Sequence, residues 1–256
     1  MRRILLELEY DGTSYHGWQV QQNGQSVQSR VQDALEQCTG VRSALTGCSR
    51  TDAGVHAKGL VCVFETACGI PTEKMAAALN TFLPDDIAVL RAAQVCESFH
   101  PRYSATGKQY TYRILNTPTR RPLSHNRTWH ISHSLPCEKM DRICQAFVGT
   151  HDFSAFCAAG SSVQDKVRTV HNCSVQRVGD EVHFTVSADG FLYHMVRIMV
   201  GTLVDIALGR LPENAISTAL TSGLRCDTGR TAPADGLYLD RVFYREEDLL
   251  WPTNET

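Results

Sequence analysis

Arg50, Asp52 and His56 stand within seven residues of one another, in the run Gly-Cys-Ser-Arg-Thr-Asp-Ala-Gly-Val-His-Ala at 47–57. A carboxylate beside a guanidinium stays ionised at neutral pH, because a nearby opposite charge lowers an Asp pKa by about 1–3 units. An ionised Asp held in place can serve as nucleophile, base or metal ligand, and these three residues alone leave that choice open. The run is too polar for buried core and too poor in Pro and Ser for a linker. It lies between two strand-like stretches, 42–46 and 60–66, so a scaffold holds both of its ends. Binding and catalytic groups concentrate on loops mounted in this way.

Each residue also has a plain structural reading. Asp52 can accept a backbone hydrogen bond in a turn before Gly54, Arg50 can be a surface ion pair, and His56 a satisfied polar residue. A metal at Asp52 and His56 would need both on one helix face, and Gly54 between them argues against a helix. Two ligands do not complete a site in any case. The chain contains no Gly-x-Gly-x-x-Gly, no phosphate-binding loop ending in Gly-Lys-Ser/Thr, no His-Glu-x-x-His and no Gly-x-Ser-x-Gly. Nucleotide cofactors, zinc-protease chemistry and a serine triad therefore have no support in the sequence. Outside the loop, Tyr110 reads as a strand residue. Arg197 is harder to place: within the apolar run 195–200 a guanidinium requires a partner, because an unpaired buried charge is very unfavourable. An Asp from another part of the chain is the obvious one.

The elements that must position these groups follow from periodicity. A first strand is expected at 4–10, ended by Asp11-Gly12, and a helix capped by Ser26 running to about 37. Thr72 is expected to cap a second helix stopped by Pro84, with a strand at 87–96 after it. A second series then begins: an alternating strand at 109–115 and a helical stripe through Met140, Cys144 and Phe147, closed by Gly149. A hairpin follows at 167–178 and 181–187 about Gly179-Asp180, then an apolar helix at 193–208, a shorter helix at 213–221 and a closing strand at 237–244. This order is α+β with mixed α/β pairing, in two similar halves: 1–104, carrying the loop, and 105–256.

Composition bounds the setting. With 256 residues, 43% hydrophobic and 20% charged, a packed globular protein is expected. The ten cysteines include no Cys-x-x-Cys pair, and Cys62, Cys144 and Cys173 read as small buried apolar residues. The N-terminus resembles no signal peptide, so a reducing cytoplasm is expected. The stretch 191–208 holds His194, Arg197 and Asp205, and such charges fit a buried helix better than a membrane span. The net charge of −2 hides an asymmetry. Between Glu97 and Glu138 no acid occurs, while Arg102, Lys108, Arg113, Arg120, Arg121 and Arg127 are interleaved with Tyr103, Tyr110, Tyr112, Trp129 and four histidines. That mixture suits phosphate contact with base stacking, although a solvated basic face would look the same. The acids Glu246, Glu247, Asp248 and Glu255 compensate in the tail.

Arg50-Thr51-Asp52-Ala53-Gly54-Val55-His56 resembles the signature loop of the A-type tRNA pseudouridine synthases. Glu9-Tyr10-Asp11-Gly12 through Gly17-Trp18-Gln19 resembles the opening of that family, Phe99-His100-Pro101-Arg102 and Lys108-Gln109-Tyr110-Thr111-Tyr112 resemble its central strand entry, and Phe191 through Arg197 and Ala232-Pro233 with Gly236-Leu237 complete the resemblance. Ser49 stands where many members carry Gly. The resemblance implies the pseudouridine synthase fold, a mixed and largely antiparallel sheet with a central cleft. It also implies a homodimer acting on uridines 38, 39 and 40 of the tRNA anticodon stem-loop, with no cofactor and no metal. Carried over, it makes Asp52 the catalytic aspartate, Tyr110 the residue on the target base, and Arg50 and Arg197 the substrate-binding arginines near that aspartate.

Overall fold

A computed structural model describes residues 1–245. Ten strands and five α-helices alternate through the chain among the described residues. The described residues divide into two compact units: Met1–Thr106 together with 239–245, and Gly107–Tyr238. The sequence suggested a single cut at 104/105; by proximity, the closing stretch groups with the first unit.

In the first unit, β1 (Arg2–Tyr10) lies antiparallel between β3 (His56–Thr66) and β4 (Ile87–Val95). The strand order is β4-β1-β3-β10, with β10 at Leu237–Phe243 and the short β2 (Thr46–Gly47) on β3. β1 supplies Ile4, Leu5, Leu6 and Leu8 to the core on consecutive rather than alternate positions, because both of its faces are covered. Helix α1 (Val27–Thr39) starts at Ser26, whose side chain accepts from the Ser29 amide, and ends at Gly40 with φ 76°. Val27, Val31, Ala34 and Leu35 form its buried stripe. Helix α2 (Thr72–Asn80) departs from expectation: Pro71 takes the cap position and Thr72 is already helical, with no side-chain cap. Pro fixes φ for a helix entry, so the start needs no hydroxyl.

In the second unit the order is β5-β9-β8-β7. Here β5 is Gly107–Leu115, β7 Gly149–Asp152, β8 Val167–Val178 and β9 Glu181–Ala188, all antiparallel, while β6 (Trp129–His130) runs parallel to β5. The hairpin turns at Gly179, φ 58°, as expected. Helix α3 (Cys137–Cys144) tightens into a 3₁₀ turn at Gln145–Phe147. Gly149 does not cap it; with φ 114°, Gly149 begins β7 instead. Helix α4 (Met195–Ala207) is buried along almost its whole length, and α5 (Ala215–Ser222) packs beside it. No described helix is long and apolar enough to cross a membrane. Cys62, Cys144 and Cys173 are buried as expected, and none of the ten cysteines is in a disulfide.

Candidate active site

The loop that carries Asp52 is shorter than its sequence suggests, because His56 and Ala57 already belong to β3. Its lower end is tied down where the Cys48 amide donates to the Val61 carbonyl, 2.8 Å. Its upper end closes as a turn in which the Val55 amide donates to the Asp52 carbonyl, 3.2 Å, with Gly54 at φ 79°. That positive φ favours glycine, which explains the residue two after the acid. Asp52 is half-buried, Thr51 buried and Arg50 exposed.

The first unit braces this loop from the segment after β1. Tyr10 Oη and Thr51 Oγ1 are 2.7 Å apart and both side chains are buried. The Trp18 amide donates to the Thr51 carbonyl (3.2 Å) and the Gly54 amide to the Tyr15 carbonyl (3.3 Å). The contact is backbone on backbone. A Cβ on Gly12 would stand 2.0 Å from the Val55 oxygen, and one on Gly17, itself at φ 84°, would stand 2.4 Å from the Thr51 oxygen. Asp52 is thus flanked on both sides by peptide groups pressed against a second segment. Tyr15 anchors that segment by donating to Asp86 Oδ1, 2.6 Å; burial first, and then the Asp86 bond, push its phenol pKa up.

His56 serves this bracing. It is buried, and its Nδ1 accepts from the Gly12 amide at 3.1 Å. Asp11 Oδ1, which also accepts from the Thr13 amide and hydroxyl, lies 3.2 Å from the same nitrogen. Sequence reasoning set His56 beside Asp52 as a possible ligand. Among the described residues no group of three or more His, Cys, Asp or Glu side chains is placed to hold a metal ion.

In the second unit Tyr110 is buried on β5 opposite Val186 of β9, its ring edge-on to Phe191 at 5.0 Å and 79°. Arg197 is half-buried on α4, among Met195, Val196 and Ile198. Its Nε donates to the Ala232 carbonyl at 2.8 Å and its own carbonyl accepts from the Ala232 amide at 3.0 Å, a reciprocal lock. The same short stretch holds Tyr112, whose hydroxyl donates to the Pro233 carbonyl at 2.8 Å; a Cβ on Gly236 would meet its ring at 2.7 Å. Burial pushes the Tyr112 phenol well up, Asp235 adds to this and Arg197 opposes it, so Tyr112 stays a neutral donor. Arg50 and Asp52 therefore share one loop, and Tyr110 and Arg197 share the other unit. The braces Tyr10, Gly12 and Trp18 were legible as a motif but not as supports, since nothing in their spacing says which backbone they meet.

A family model described as tRNA pseudouridine synthase matches residues 8–104 and 143–245. The chain belongs to the tRNA pseudouridine synthase family. Its relatives include the tRNA pseudouridine synthase A of Acetivibrio thermocellus, 47% identical over 244 residues, covering 95% of this chain and 100% of that one. The protein of that name in Thermoanaerobacter sp. (strain X514) gives the same figures. The tRNA pseudouridine synthase A 2 of Clostridium perfringens is 43% identical over the same span. Among solved structures, the archaeal box H/ACA sRNP Nop10-Cbf5 complex shows a distant likeness, TM-score 0.42 at 12% identity, over 95% of this chain and 50% of that one. As a member of the tRNA pseudouridine synthase family the protein is an isomerase of tRNA uridine. The family match embraces the Asp52 loop, its braces and Arg197, whereas Tyr110 falls in the unmatched stretch between the two segments.

Proposed function

We propose that this pseudouridine synthase isomerises uridines 38, 39 and 40 in the anticodon stem-loop of tRNA, with Asp52 as the catalytic residue and no cofactor. The observation that carries the assignment of Asp52 is its setting: a half-buried carboxylate in the family-matched segment, on a turn whose flanking residues Thr51 and Val55 are pressed against the segment 12–18. Reactive groups need such fixed placement, since small misplacements lose large rate factors.

The chemistry demands little else. The N1–C1′ bond breaks, the base turns, and C5 joins C1′; the C5 hydrogen leaves to solvent and N1 takes up a proton. No electron is transferred to or from the substrate overall, so a carboxylate, a base-holding ring and cations suffice. Asp52 acts as nucleophile, at C1′ or at C6, giving a covalent intermediate. The Tyr110 ring holds the detached base as it turns, and its hydroxyl assists loss of the C5 proton. Arg50 and Arg197 bind the substrate. The target must leave its stack, at about a few kcal/mol, which contacts to the RNA backbone offset.

Tritium release from 5-tritiated uridine in an unmodified tRNA transcript tests the reading. Wild-type protein is expected to release it and Asp52→Asn to bind tRNA equally well while releasing none. Release by the Asn variant at the wild-type rate would remove Asp52 from the reaction. Sequencing of pseudouridines in tRNA from a strain lacking the protein tests the three positions. The protein is proposed to be a cytoplasmic homodimer, which sedimentation addresses; ten cysteines outside disulfides fit a reducing compartment.

A further inference from the structure

A cavity of about 570 Å³ opens in the second unit, walled by Arg120, Arg121, His125, Trp129, His130 and Asp235 among others. Nearly all of its wall comes from the acid-free window, within the stretch that lies between the two segments matched by the family model. We infer that this cavity grips a phosphodiester and the adjoining base of tRNA, at a nucleotide other than the uridine being isomerised. The inference rests on the protein acting on tRNA.

Three observations carry it. First, the cations face solvent. Arg120 and Arg121 are exposed, and Arg121 pairs with Asp180 at 3.3 Å through two side chains about 60% exposed. Such a pair is weak, so a phosphate, matched bidentately by a guanidinium, replaces it readily. Second, the loop is already rigid. The Ser124 and His125 amides close a 3₁₀ turn, Thr128 Oγ1 donates to the Ser124 carbonyl at 3.1 Å, and Tyr238 donates to the Arg127 carbonyl at 2.9 Å. Little ordering entropy is then lost on binding. Third, the polar and flat groups suit a ribonucleotide. Trp129 is half-buried, held edge-on by Tyr112 at 6.2 Å and 85°, and an indole is a stacking platform for a base. His130 Nε2 lies 2.8 Å from the Thr117 carbonyl oxygen, which only accepts. Nε2 therefore carries the hydrogen, and Nδ1 of the neutral ring is an acceptor for a ribose 2′-hydroxyl. Asp235 is the one acid of the wall and leaves the cavity net positive.

The test measures tRNA affinity against salt for the full-length protein. Replacing both arginines, Arg120→Ala with Arg121→Ala, is expected to weaken binding by about ten-fold or more at low salt and to flatten the slope of log K against log salt by about 1–2. Trp129→Leu is expected to weaken binding by about ten-fold with the slope unchanged, because stacking releases no counterions. Arg120→Lys with Arg121→Lys restores the slope, which separates lost charge from lost fold. An unchanged slope in the double Ala variant, or a loss carried by kcat at unchanged Kd, would overturn the inference. The two readings fail separately: tritium release by the wild type decides the isomerase, and the variant's salt slope decides the cavity.

Discussion

A methyl group on Gly12 would stand 2.0 Å from the Val55 carbonyl oxygen, a distance no real Cβ tolerates, so either the loop or the brace must shift. The shift is felt three residues from Asp52. Gly12→Ala is expected to lower kcat by about 10²-fold, the scale of an ångström's misplacement, with tRNA affinity held within a few-fold; single-turnover tritium release and a binding titration read the two separately. Equal loss in both would show the loop serving binding rather than chemistry. Tyr110→Phe makes a contrasting case, since it keeps the ring against Phe191 and removes only the hydroxyl. It is expected to retain affinity and slow release of the C5 hydrogen by about 10²-fold. At this scale the sequence was informative about identity and poor about partners. Asp52 and Gly54 stood out by type and spacing, and the positive φ of Gly54 supplies the reason. Arg197 was recognised as needing a partner, and the Ala232 backbone carbonyl, which no side-chain pattern announces, is one of the groups that meets it. Backbone acceptors are invisible to sequence because every residue carries one.

Among elements, α4 shows most clearly how tertiary packing overrides local preference. An interior helical glycine is ordinarily less favourable than alanine by about 1 kcal/mol, so Gly201→Ala would be expected to stabilise an isolated helix. Here a Cβ would meet the Arg230 carbonyl oxygen at 1.8 Å. The expected outcome is a lowered melting temperature, and a rise would show that the 229–232 segment yields easily. The same segment is tied to α4 through Asp205, which is 9% exposed at its side chain and pairs with Arg210 at 3.1 Å and Arg230 at 3.0 Å. Burial raises the Asp205 pKa, but the Arg230 and Arg210 hydrogen bonds outweigh it and hold the carboxyl below its ordinary 3.8. A depressed folded pKa contributes stability that is present above the unfolded value and lost as pH falls through the folded one. Asp205→Asn is therefore expected to destabilise by about 2 kcal/mol at neutral pH, and the difference from wild type to shrink as pH drops below about 4. A gap that persists at low pH would assign the effect to packing. The helix itself was legible from its apolar run; its start was not, because His194 at φ 59° breaks the pattern through backbone geometry alone. Thr72 and Gly149 were misread for a related reason, each having the residue type of a cap without the local backbone.

Over the whole molecule, charge and connectivity were legible to different degrees. The order of the longer strands and helices followed from periodicity, whereas the short β6 and β7, at two and four residues, are too brief to show a period. The return of the chain to its first unit after Leu239 did not, since a period of two says that a stretch is a strand and nothing about which strand it joins. Charge is a sum over the chain and can be read directly. An RNA-binding protein with a formal net charge of −2 must concentrate its attraction locally, and the acids Glu246, Glu247, Asp248 and Glu255, which lie outside the described residues, oppose that attraction at long range. Replacing all four by their amides raises the formal net charge to +2 without shortening the chain. Association with tRNA is then expected to quicken by a factor on the order of ten at low salt, where the screening length is about 30 Å, and to match wild type near 1 M, where it is about 3 Å. Stopped-flow association across that salt series separates long-range steering from direct contact: a gain that survives high salt would mean that the tail touches the RNA or its binding surface rather than acting through the field.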